Sequence, residues 1–431
     1  MIAEASGEVW RLPSGLRFLE AITDTVARGG ATNLLLEDWV DRAAFLDELR
    51  SHLAVRGLTL QSLQDADSIA PSPLDCLVAG LGLPDIRARY DAPGDEMMRL
   101  VGLAELPDAI AMVASGTGSI GTSAWIEFAY AWSKASKRHS DGGSTAPALC
   151  VVLPTSAARD RDLPTDAQLA ACWMLGVPEA LEVRLICRLV DASDTLAARR
   201  WREHVVPALC GSDLGLVPYL WEAVLGDHAA LLSALDDYAR ERNWDERSLR
   251  ELGVDRLARS QVSDISDGVS DFSPPPRLRQ AWSSGAVMAT ADHVPEANSA
   301  ALRLLDAEDV LLQRLWRGQV GLVLPGIDGV RMAMCLQLTR RFGSSWATEF
   351  CLPLIDDEAS AVRDSALACQ WGHLLHLLRR HRRLSDYIEW IPVARKARLV
   401  RNRLAHGVPI AYSEYADLLE AAQRCGFAQW L

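Results

Sequence analysis

Residues 31–39, ATNLLLEDW, decide the class of this fold. Three consecutive leucines, Leu34, Leu35 and Leu36, read as the centre of a strand buried on both faces, because a half-exposed strand would alternate. The periodicity on either side is helical. Residues 15–28 repeat apolar positions at helical spacing and stop at Gly29 and Gly30, and residues 43–57 form a helix ending at Gly57. Working outward, 58–63 is a short strand, 109–115 (AIAMVAS) another, 122–137 a helix, and 148–154 (ALCVVLP) a further buried strand. Residues 181–190 (LEVRLICRLV) alternate and read as a strand near an edge. Strands that alternate with helices predict parallel or mixed pairing in a layered α/β domain.

After residue 190 the pattern turns helical. Residues 195–209, 216–225 and 228–242 give three helices between Gly and Asp turns. The Ser-, Asp- and Pro-rich stretch 260–278 reads as a linker. Beyond it about five helices follow, with Pro325 and Pro353 expected to punctuate them and Pro392 to break or begin one. The expected organisation is an α/β domain over 1–190, a helical subdomain over 191–258, a linker over 259–279 and an all-α domain over 280–431.

A chain of 431 residues exceeds one ordinary core, and 49% hydrophobic residues suffice for several. With 57 acidic and 44 basic residues the formal charge is -13, which excludes a general nucleic-acid coat. The charge is uneven, however. Between His376 and His406 there are nine Lys or Arg against two acids. Nine scattered cysteines without a C-x-x-C pair argue against a disulfide framework or a zinc module. No basic-then-apolar leader opens the sequence, and no apolar run reaches the roughly 18–20 residues of a membrane helix. A cytoplasmic protein without a membrane partner is the expectation.

Two strings carry chemistry. The first is RNRLAH, residues 401–406, which closes a basic amphipathic helix. A guanidinium offers fixed, bidentate hydrogen bonds to phosphate, and an imidazole moves protons near neutral pH. Arg401, Asn402 and His406 are the candidate site residues; the motif of HEPN-type domains, which RNRLAH resembles, implies that the arginine holds phosphate, the histidine acts as general acid or base, and the asparagine supports them. The basic run Arg379, Arg380, Arg382 and Arg383, with Arg398 and Arg403, is the candidate RNA-binding surface; a solvated helix end is the alternative. Trp316, Trp371 and Trp390 read as core or interface anchors rather than base-stacking platforms. His373 and His376 sit three apart but lack a third ligand, so no metal site is expected.

The second string is GTGSIGTS, residues 116–123, between a predicted strand and helix. Gly116, Gly118, Gly121, Thr122 and Ser123 have phosphate-loop spacing, but Thr122 stands where the lysine belongs. Nucleotide binding is a weak expectation and hydrolysis is not expected; an unliganded glycine turn is the alternative.

RNRLAH resembles the motif of HEPN-type helical domains, and the N-terminal part resembles a P-loop NTPase with a damaged phosphate loop, similar to inactivated STAND-type components of bacterial conflict and antiphage-defence systems. The resemblance implies a metal- and cofactor-independent endoribonuclease. It also implies a homodimer through the C-terminal domain, because one motif per chain needs a second copy to complete a site. A protein partner from the same system would act on the N-terminal domain. A non-catalytic scaffold and a nucleotide-responsive regulator remain open.

Overall fold

The computed structural model describes residues 7–64, 66–83, 96–103, 105–114, 120–141, 146–158, 163–166, 168–190, 195–259, 272–289, 294–350 and 356–431. The chain divides into two compact units. One comprises residues 1–190, 211–216 and 239–305; the other comprises 191–210, 217–238 and 306–431. These units are interleaved along the chain: a boundary falls at 190, where one was expected, and none falls at 258 or 279. Residues 280–305 belong with the sheet. Residues 260–271 of the expected linker lie outside the described residues.

The first unit is built on strands β1 (Ala31–Leu36), β2 (Leu60–Leu63), β3 (Ala109–Val113), β4 (Ala148–Pro154) and β5 (Leu169–Trp173). They pair in the order β2-β3-β4-β1-β5, and every pairing is parallel. β1 is flanked on both sides, with Leu34 opposite Val152 of β4 and Cys172 of β5. All residues of β1, β3 and β4 are buried, which explains their unbroken apolar runs. Helices α1 (Pro13–Ala27), α2 (Arg42–Val55) and α3 (Thr122–Asp141) each bury one stripe; in α3 it is Trp125, Phe128, Ala129 and Trp132. Trp10 meets Phe45 edge-on at 4.9 Å, and Phe18 meets Phe272 at 5.1 Å.

Residues 181–190 are not a strand. They form helix α4 (Ala180–Val190), and the fifth strand is the short, alanine-rich LAACW at 169–173. Val183, Ile186 and Cys187 fall on one buried helical face. The buried Glu182 carboxylate decides the start of the helix, accepting hydrogen bonds from the amides of Glu179 (2.9 Å) and Ser14 (2.8 Å) and from the Ser14 hydroxyl. Carboxylates satisfy orphan amides at helix N-termini, a role a strand does not offer.

The second unit contains helices α5 (Leu196–Cys210), α6 (Val217–Ala223), the first turns of α7 (His228–Glu241), and then α8 (Glu308–Phe342), α9 (Trp371–Arg380), α10 (Trp390–Ala405) and α11 (Tyr412–Arg424). α8 runs unbroken for 35 residues through Pro325, so that proline does not punctuate the chain as expected. Small residues let neighbours approach this helix. A side chain at Gly318 would meet the α5 backbone at His204, and one at Gly326 would meet Trp430 and Leu431. Pro392 falls in the first turn of α10, where a proline costs no hydrogen bond. Trp371 and Trp390 are buried, as anchors should be. α8 is long and apolar enough to cross a membrane by length and composition, although 61% of its most apolar window is buried within the protein.

Candidate functional site

α10 buries Val393, Ala394, Ala397, Val400 and Leu404, one stripe at helical spacing, and turns Arg395, Arg398 and Arg401 outward. Those arginines recur every third residue, so they form a single row. The helix closes on a Schellman motif. Gly407, at φ +74°, donates its amide to Leu404 O at 3.1 Å, and Val408 donates to Arg403 O at 3.0 Å. The Trp316 indole satisfies Leu404 O as well, at 2.7 Å.

His406 is therefore the C-cap, the first residue beyond the regular helix, and its side chain is exposed. Arg401 is exposed too, and its Nη1 donates to Asn402 Oδ1 at 3.2 Å. Five residues correspond to about 140° around an ideal helix. Arg401 and His406 thus lie at the same helix end on different faces, both open to solvent, with Asn402 between them.

Arg403 behaves differently from its neighbours. Its Nη1 reaches both Glu414 carboxylate oxygens at 2.7 Å, and its Nη2 donates to Pro409 O at 2.7 Å. It ties α10 to the start of α11, so its fork of donors is already spent. Lys396 is similarly paired with Asp417 at 2.7 Å. Of the expected RNA-binding residues, Arg379, Arg380, Arg382, Arg383 and Arg398 are exposed. The Arg383 guanidinium lies 5.9 Å from the Phe350 ring, against which His381 stacks at 4.1 Å. The run at 379–383 adjoins the Trp390 end of α10. A rise of 1.5 Å per residue sets Arg401 about 16 Å along the helix from that end. The two basic groups are therefore not one cluster; Arg395 and Arg398 span the interval. His373 accepts the Gln370 amide at 3.3 Å as part of a helix cap.

The α/β unit also has a crevice apart from the loop at 116–123. In an open parallel sheet, ligands bind at the carboxyl ends of strands where successive connections leave in opposite directions. The order β2-β3-β4-β1-β5 puts that point between β1, whose chain crosses to β2, and β4, whose chain crosses to β5. The loop after β3 is one strand away. Gly116 and Gly118 lie outside the described residues. Gly121 precedes α3, and Thr122 and Ser123 form its first turn.

At the crevice itself stands Glu37, directly after β1. Thr155, directly after β4, donates its hydroxyl to Glu37 Oε2 at 3.4 Å. Glu37, Ser212, Asp213, Trp282 and Met288 enclose a space with room for little more than a single water. Burial first, and then the Asp213 carboxylate, push the Glu37 carboxyl up to about 8; Arg242 opposes the shift, and Asp38 adds to it. Asp213 accepts the Gly215 amide at 3.0 Å and the Asn298 side-chain amide at 2.8 Å. Asp38 pairs with Arg242 at 2.9 Å. The N-terminus of α2, where a phosphate loop would offer free amides, is capped by Asp41, which accepts from Ala43 and Ala44 at 2.9 and 3.2 Å. Asp41 thus satisfies amides with which the start of this helix would otherwise hold a phosphate.

No family model matches the chain, and no curated protein matches it. Among solved structures it is similar to the ORC2 protein of Aeropyrum pernix, determined as ADPNP–ADP complexes. The likeness has 13% identity, covers 68% of this chain and 93% of that one, and has a TM-score of 0.33.

Proposed function

We propose that the protein is a conditional, metal-independent endoribonuclease of a bacterial defence or toxin-type system, of the HEPN kind, and that its α/β unit engages a protein partner rather than a nucleotide. One observation carries this reading: Arg401 and His406 are both exposed at the capped end of α10, where the basic row of that helix finishes. Arg401 would hold a phosphate. His406 would move protons as the ribose 2′-OH attacks the adjacent phosphorus. The O2′–P bond forms and the P–O5′ bond breaks; one imidazole takes the hydroxyl proton, and the imidazole of a second copy gives one to the leaving oxygen. A homodimer is thus part of the proposal.

The Asp41 cap at the start of α2 supports the partner reading, because the amides there are already satisfied. The same feature, with Arg403 committed to Glu414, also favours the alternative of a scaffold without catalysis.

The deciding experiment is cleavage of total RNA and of tRNA in EDTA by the wild type, Arg401→Ala and His406→Ala. The proposal expects wild-type cleavage to fall by at least about 100-fold in both variants. Cleavage that survives both substitutions would overturn it. No cleavage by any of the three, with a partner from the same system also supplied, would favour the scaffold.

A further inference from the structure

Behind the capped end of α10 lies a cavity of about 440 Å³, wholly within the helical unit. We infer that it is a binding site for a small, uncharged, largely apolar molecule. The volume falls in the range of ligand pockets, roughly 300–1,000 Å³. Leu231 of α7, Leu312 and Leu315 of α8 and the Trp201 ring of α5 supply its walls, and Val408 and Ile410 close it from the segment that follows the helix cap.

The polar groups around it define what it selects. The Gln319 amide is used at both ends by one backbone residue: Nε2 donates to Ile410 O at 2.9 Å, and Oε1 accepts the Ile410 amide at 2.8 Å. The Trp201 indole N–H donates to Val224 O at 2.8 Å. Arg403 is matched by Glu414. Asp227 caps α7 through the Ala230 amide at 2.9 Å, and His228 faces Glu308 at 2.8 Å. Each charge has its counter-charge or its hydrogen bond inside the protein. An ion entering the cavity would leave its hydration without compensation, which is costly. A peptide strand would bring backbone amides and carbonyls that also need partners. An aromatic or aliphatic molecule makes no such demand and gains from leaving water.

The cavity is also held open. Gln319 fixes residue 410 to α8, and Trp201 is stacked between Tyr415 at 5.4 Å and the edge of Tyr412 at 5.9 Å. A preformed site loses less entropy on binding.

This inference stands independently of RNA cleavage, and its test reads binding alone. The full chain is titrated with N-phenyl-1-naphthylamine, a neutral dye that fluoresces in apolar surroundings. The expected result is a saturable, one-to-one rise. Leu315→Trp, which fills the cavity, should abolish it. Val408→Trp, at the rim where Val408 is 44% exposed and a larger side chain is tolerated, should weaken it at least about tenfold. The sulfonated dye with the same ring system should bind at least about tenfold more weakly than the neutral one. A rise that does not saturate, binding retained by the rim variant, or equal affinity for the sulfonate would each overturn the inference.

Discussion

Two helix ends in this molecule bear on phosphate holding, and they are finished in opposite ways. The N-terminus of α2 in the α/β unit is closed by its own Asp41, with Glu37, Asp38 and Asp213 close by. The C-terminus of α10 in the helical unit is closed by backbone alone, through Gly407, which leaves the side chains of Arg401 and His406 uncommitted to the cap. A terminus satisfied by a carboxylate has used the groups an anion would need. A terminus satisfied by a glycine turn keeps its side chains available. The presence of a helix end is therefore less informative than the means by which it is satisfied.

The comparison breaks most readily at the open end, where loss of cleavage in Arg401→Ala and His406→Ala is the largest effect expected. At the closed end, the test is Glu37→Gln. The folded carboxyl holds its proton up to about 8 against an ordinary value of 4.5, so the stability carried by the neutral form is complete below about 4.5 and is lost as pH rises through 8. Denaturation of the wild type should show stability falling between pH 5 and 8. The glutamine variant should lose that slope and be the more stable at pH 8 by at most a few kcal/mol, at about 1.4 kcal/mol per unit. A slope unchanged by the substitution would mean that Glu37 is ionised in the fold.

Next in size is Glu414→Ala, which strands Arg403. The pair is partly exposed, and a loss of about 1–2 kcal/mol in the melting of the helical unit is expected, with no change in RNA affinity. Arg395→Ala and Arg398→Ala should do the converse: melting within about 0.5 kcal/mol of wild type, and a salt dependence of RNA binding shallower by about one counterion each. Gly407→Ala, at φ +74°, is expected to cost about 1 kcal/mol through a strained cap. Any fall in cleavage there beyond the loss of folded protein would measure how far the turn itself places His406.

The strands at 31–36, 109–113 and 148–154 were legible because each is a run of apolar residues too short and too uniform for a helix. The error at 181–190 has a simple origin. Leu181, Val183, Leu185 and Cys187 alternate, yet Val183, Ile186 and Cys187 also satisfy a helical face, and the choice was made by Ser14, a partner 168 residues away. LAACW was passed over because Ala170 and Ala171 carry little strand signal. The end of α10 was legible in outline, since RNRLAH reads as closing a helix and the regular helix ends at Ala405. Arg403 was grouped with its neighbours because nothing local indicates that it faces Glu414. The crevice was not readable at all. Its location depends on which strands sit side by side, and that order is a property of the assembled sheet rather than of any segment.

The interleaving of the two compact units bears on how this protein can be cut or rebuilt. The chain passes between them at residues 190, 210, 216, 238 and 305. A fragment stopped at 190 would leave β5 without the hydrogen bond from the Trp173 amide to Phe272 O at 2.8 Å, and Glu37 without Asp213 and Arg242. Neither half is a cassette that gene fusion could have appended at one junction or that a single protease nick would release intact. Shuffling of this architecture between genes would have to move both units together.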